Sequence, residues 1–207
     1  MPARIAKLQR DSRGYPIPRF VDRKADKPDG EPDFRIMDAK YLADCIRYRI
    51  CWVCGGALPR VKAFVVGPMC IVNRTSSEPP SHLECAHYSV LVCPFLAFPK
   101  MRRIDVGKPE GATASGIMIR RNPGVGCIWS VEKYKTWNPA PGEILFDIGE
   151  PVAVEWWADG RFATRAQVDE SIRTGLPSLE AEAMKQAGAM AALRSAVERS
   201  QQFLPAA

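Results

Sequence analysis

Cys51-Trp52-Val53-Cys54-Gly55-Gly56 places two thiols two residues apart, with glycines behind them that let backbone amides turn toward the sulfurs, so that both can bind one ion. His82-Leu83-Glu84-Cys85 follows, its histidine 28 positions after Cys54. If these residues open a helix, positions i and i+3 share a face, and the positive end of the helix dipole favours a thiolate there. Cys51, Cys54, His82 and Cys85 then complete a closed Cys3His shell with no open position for water, the donor set of a structural zinc ion. Iron is the chief competitor at such a thiolate-rich site.

Seven cysteines (45, 51, 54, 70, 85, 93 and 127) are an odd number, which points to thiolate ligands and buried thiols rather than a disulfide framework. Cys45, Cys70, Cys93 and Cys127 read as small apolar core residues. Cys93 lies eleven residues beyond His82, about 16 Å along a helix, too far to share its ion. His87, Cys70 and Cys93 are the reserve ligands should His82 not serve. An HNH-type nuclease needs a histidine general base on its hairpin, yet none stands between Gly55 and Ser81, and His87 is the chain's other histidine. The expectation is a non-enzymatic protein.

The elements that must position this quartet can be read from caps and periodicity. Asp38 is placed to cap a helix carrying Leu42, Cys45 and Ile46, which delivers the chain to the knuckle. The apolar runs 61–66 and 69–72, split by Gly67-Pro68, predict a β-hairpin. Ser81-x-x-Glu84 matches a capping box and predicts a helix from about His82 to Cys93, stopped by Pro94. Knuckle, hairpin and ligand-bearing helix are the layout of a treble clef.

Further on, short apolar runs at 116–119, 127–131, 144–148 and 152–157 alternate with Pro/Gly turns and predict a small antiparallel sheet, in which adjacent Trp156 and Trp157 point to opposite faces. Thr164-x-x-Gln167 caps a short helix ending at Gly175, and Ser178 caps a long one striped by Leu179, Ala183, Ala187, Met190, Leu193 and Val197. Residues 1–37, with five prolines and few aliphatic side chains, read as an extended arm. The fold class expected is α+β: a zinc-stabilised treble-clef-like unit over 38–110, then over 111–207 an antiparallel sheet covered by two C-terminal helices, able to pack as one body.

The 207-residue chain carries a formal charge of +6, concentrated in residues 39–110, where ten basic side chains face five acidic ones. That asymmetry suits an anionic partner, with Lys62, Asn73, Arg74, Lys100, Arg102 and Arg103 as candidate nucleic-acid contacts. Trp129, Trp137, Trp156 and Trp157, with Tyr134 and Phe146, form an aromatic-rich segment flanked by Arg120, Arg121, Lys133 and Lys135 that can either fill a core or stack bases. The chain shows no run of about 20 apolar residues and no secretory apolar segment at its start, so a soluble, cytoplasmic protein without membrane association is expected.

The stretches Cys51-Trp-Val-Cys-Gly-Gly, Phe64-Val-Val-Gly-Pro-Met, Asn73 through Cys85, and Cys93-Pro-Phe-Leu resemble a group of uncharacterised Cys/His-containing, treble-clef-like zinc proteins of bacteriophages and bacterial genomes. The similarity extends to Asp159-Gly-Arg-Phe-Ala-Thr-Arg and Gly175-Leu-Pro. It implies a phage or prophage setting, in which small basic zinc proteins bind nucleic acid or a host protein. The function expected is a zinc-stabilised nucleic-acid-binding protein. The alternatives are a module that binds a host or virion protein, a nucleotide-sequestering protein and, last, an HNH-like nuclease.

Overall fold

A computed structural model describes residues 1–25, 27, 29–97 and 122–206. In chain order the elements are α1 (Ala3–Ala6), α2 (Ala39–Tyr48), β1 (Lys62–Val66), α3 (Pro68–Asn73), β2 (Thr75–Ser76), α4 (Leu83–Val92), α5 (Pro94–Ala97), β3 (Gly126–Val131), β4 (Lys135–Trp137), β5 (Leu145–Asp147), β6 (Pro151–Ala158), β7 (Arg161–Phe162), α6 (Arg165–Ala183) and α7 (Ala189–Ser200). This is mixed helix and antiparallel sheet, as expected. The expected strand at 116–119 lies outside the described residues.

An antiparallel four-stranded sheet of order β1-β3-β6-β7 organises the molecule. Because strand side chains alternate, each strand serves two cores. Ala63, Ile128 and Trp157 face α4, where they meet Ala86 and Val90. Phe64, Val66, Cys127, Trp129, Val131 and Trp156 face the other way, onto α3, α6 and α7. Trp156 and Trp157 thus lie on opposite faces, as strand geometry requires. β3 is buried along its whole length, which is why Gly126-Cys-Ile-Trp-Ser-Val reads as a continuous apolar run. A second sheet, β2-β5-β4, packs beside the first through Phe146, whose ring centroid lies 6.1 Å from that of Phe64.

Three expectations are corrected. The hairpin at 61–72 does not form: β1 takes β3 as its partner, while Pro68 sits in the first turn of α3, where its fixed φ and missing N–H cost nothing. The Ser81 capping box does not form either. Ser81 exchanges backbone hydrogen bonds with Ala63, and His82 becomes the N-cap of α4 without a side-chain cap bond. Finally, the helix begun by the Thr164–Gln167 capping box, which is present with both reciprocal bonds, does not stop at Gly175. It runs through Pro177 to Ala183, because Val168, Ile172, Leu176, Leu179 and Ala183 form one uninterrupted stripe on the core. The break falls instead before Gly188, which caps α7 at φ +78°.

The first 37 residues are neither detached nor wholly extended. Ile5 of α1 is buried against Cys51, Val53 and Cys85, and Ile17, Val21 and Ile36 are also buried. Among the described residues no helix is long and apolar enough to cross a membrane.

Candidate metal centre

The knuckle is held from three sides. α2, capped by the Asp38 carboxylate, ends at Arg49 in the left-handed region, and the chain turns back through backbone bonds that join Ile50 to Ala57. Tyr41 of α2 donates its hydroxyl to the Cys51 carbonyl at 2.7 Å. Trp52 stacks between Tyr41 and Phe20 at 5.7 and 5.0 Å, tying the knuckle to α2 and to the N-terminal segment. Gly55 adopts φ +77°, and a Cβ there would come within 3.3 Å of the Tyr41 hydroxyl, so a side chain would be crowded as well as strained.

α4 brings the other two residues. His82 at its N-cap and Cys85 in its first turn point toward the knuckle sulfurs. The ligand atoms of Cys51, Cys54, His82 and Cys85 all lie within 4.8 Å of one another. A tetrahedron with Zn–S near 2.3 Å and Zn–N near 2.0–2.1 Å spaces its corners by roughly 3.5–3.8 Å. The observed Cys54 Sγ to His82 Nδ1 separation is 3.3 Å, and Cys85 Sγ to the same nitrogen is 3.9 Å. Cys51 and Cys85 are fully buried, His82 nearly so and Cys54 partly. The quartet could therefore hold a metal ion.

The surroundings prepare these atoms for a cation. His82 Nε2 lies 2.9 Å from the Ala57 carbonyl, an acceptor only, so the ring proton belongs on Nε2 and the Nδ1 lone pair is left facing the sulfurs. Nothing in the sequence marks Ala57, since its contribution is a backbone oxygen. The His82 amide donates to Cys51 Sγ at 3.4 Å, and the Cys54 amide also points at that sulfur. Hydrogen bonds from the Cys54 and Cys85 thiols, then from these amides, hold the Cys51 thiol far below its ordinary range, while the bond to Cys51 pushes Cys85 up. A bound divalent ion would draw off the thiol protons.

The reserve ligands lie elsewhere. His87 faces the sheet, its Nε2 2.8 Å from a Glu155 carboxylate oxygen and its ring edge-on to Trp157. Burial pushes the Cys45, Cys70, Cys93 and Cys127 thiols up, Cys45 to about 12 and Cys70 to about 11, as suits protonated core or near-core residues.

Of the candidate nucleic-acid contacts, Lys62, Asn73 and Arg74 are among the described residues. Lys62 is buried, and its ammonium donates to the Glu132 carbonyl at 2.6 Å, so it is a structural cation rather than a free phosphate ligand. Asn73 is exposed. Arg74, left-handed at φ +58°, lays its guanidinium over Trp129 and Phe203 and pairs with Glu150 at 2.6 Å. Lys100, Arg102 and Arg103 lie outside the described residues, as do Arg120 and Arg121. Of the aromatic group, Trp129, Phe146 and Trp156 are core, whereas Trp137 is exposed.

Comparison with protein-family models, curated proteins and solved structures finds no match to this chain.

Proposed function

We propose that this protein is a zinc-stabilised, non-enzymatic binding protein whose partner is nucleic acid. The observation that carries the reading is the closed quartet: four protein donors converge with the histidine's second nitrogen already spent on Ala57, which leaves no coordination position for a substrate. Knuckle plus first helical turn is the ligand layout of treble-clef zinc sites. A sealed ion of this kind supplies folding free energy, and the chemistry offered to a partner is that of the protein surface.

That surface is basic near β4. Lys133 and Lys135 are exposed, and Arg60 reaches Glu132. The resemblance to phage and bacterial Cys/His proteins supplies the setting, a phage or prophage product acting on nucleic acid. A second reading, a module for a host or virion protein, is favoured by Val152 and Phe162, both largely exposed at β6 and β7.

Elemental analysis of purified protein should find one zinc per chain. Affinity for DNA should fall steeply with salt, log K declining by about 0.9 per phosphate contact on a duplex. Iron in place of zinc would change the ion, absence of any metal would overturn the site, and metal-loaded protein without nucleic-acid affinity would favour the protein partner.

A further inference from the structure

Away from the metal centre, an open cleft of about 410 Å³ is floored by the sheet β2-β5-β4. Thr75, Asp147 and Lys135 are paired across its three strands, so their side chains form one row on one face. Trp137, two residues after Lys135 on β4, lies on the same side, and Asn73 and Arg74 also line the cleft. The volume falls within the range of about 300–1,000 Å³ typical of small-ligand sites.

Trp137 is 46% exposed, whereas Trp52, Trp129 and Trp156 are at most 4% exposed. A large ring left in water beside a lysine is unusual, because burying such a ring is one of the larger favourable terms open to a chain. Lys135 has no ion partner among the described residues and stands beside that ring. Arg74 is already oriented by Trp129 and Phe203, at 4.6 and 5.1 Å from their centroids. Its pairing with Glu150, whose carboxylate side chain is mostly exposed, is of the weak surface kind, so a phosphate can replace it at little cost. Asp147 keeps one carboxylate oxygen free after accepting the Gly149 amide at 3.0 Å, and Asn73 presents an exposed amide; both can meet a base edge.

We propose that this cleft holds single-stranded nucleic acid, with one base stacked on Trp137 and the neighbouring phosphates on Lys135 and Arg74. The proposal rests on the nucleic-acid reading and deepens it. A base can lie flat on an indole only when it has left its duplex stack, which selects single strands over duplex and is tolerant of sequence. Lys133, adjoining Lys135, continues the positive track for flanking phosphates.

The test uses the metal-loaded full chain with a short oligothymidylate, the corresponding duplex and thymidine monophosphate, read by tryptophan fluorescence and by anisotropy. The single strand should quench part of the emission. Trp137→Ala should abolish that quenching and weaken binding by about 5- to 150-fold, Trp137→Phe should keep most of the affinity, and Lys135→Gln should lower the salt slope by about 0.7. Duplex affinity should be unchanged in both Trp137 variants. Because both side chains are exposed, unaltered thermal melting is expected and serves as the folding control. Wild-type affinity in Trp137→Ala would overturn the cleft while leaving nucleic-acid binding intact. Failure of both single strand and duplex to bind would overturn the parent reading and the cleft with it. Monophosphate binding as tight as the oligomer would overturn the strand in favour of a mononucleotide site.

Discussion

The two halves of this molecule are held together by different physics. Beneath the four-stranded sheet, buried side chains from β1, α3, β3, β5, β6, α6 and α7 form one core that includes Trp129, Phe64 and Phe146. Around the knuckle the buried clusters are small: Ile5, Cys51, Val53 and Cys85, of which two are candidate ligands, and Tyr41, Cys45 and Trp52. Apolar burial yields about 25 cal/mol per Å², so the first region can order itself by packing, whereas the second has little area to offer against its conformational entropy. A metal ion is most valuable where packing is thinnest. The knuckle, His82 and Cys85 occupy that place.

Removing the ion should break this comparison most visibly. Apparent binding of structural zinc is about 10–16 kcal/mol in peptide models, as large as the whole stability of a typical domain. Chelation, or Cys51→Ser, should strip hydrogen-exchange protection from the Cys51–Gly56 amides and from α1 first, while β3 stays protected. Acid should act in the same direction, since protons compete with the ion for the sulfurs and for His82 Nδ1. An unchanged knuckle after chelation would show that the region does not depend on metal.

Truncating the packed half is the complementary experiment. Trp129 is fully buried, donates Nε1 to the Ile148 and Gly149 carbonyls and supports the Arg74 guanidinium, so Trp129→Ala should cost about 3–5 kcal/mol in urea denaturation. Metal content should stay at its wild-type value; loss of metal would mean that the two regions are not separable.

The smallest expected effect concerns alkali. Burial holds the Cys70 proton up to about 11, against an ordinary value of 9.0. The folded state therefore binds this proton more tightly than the unfolded chain. The resulting stability is fully present below about pH 9 and is lost as pH rises toward 11. Cys70→Ala should make that alkaline limb shallower in pH-dependent melting, with Cys45, Cys93 and Cys127 supplying the rest, and leave the acid limb unchanged.

The ligand quartet was legible because the four positions needed only local geometry: a two-residue spacing before glycines, and a helix start that places residues 82 and 85 together. The Asp38 and Thr164 caps were legible for the same reason, since each is satisfied within three residues. What escaped depends on distant chain. β1 finds its partner more than sixty residues later, so the local turn at Gly67-Pro68 does not decide its pairing. Ser81 loses its cap role to a backbone exchange with Ala63. At Pro177 a continuous apolar stripe outweighs a helix-breaking residue, whose interior cost is about 3 kcal/mol. Lys62 looked like a surface cation because nothing nearby reveals that Glu132 supplies its acceptor.

The pairing of β1 with β3 also limits how this protein can be cut. The strand that follows the knuckle has its hydrogen-bonding edge and one whole face covered by residues beyond 125. A fragment carrying only the cysteine cluster would present a naked strand flank studded with Phe64 and Val66, an invitation to self-association rather than a portable finger. Such a piece should precipitate even with its ion in place.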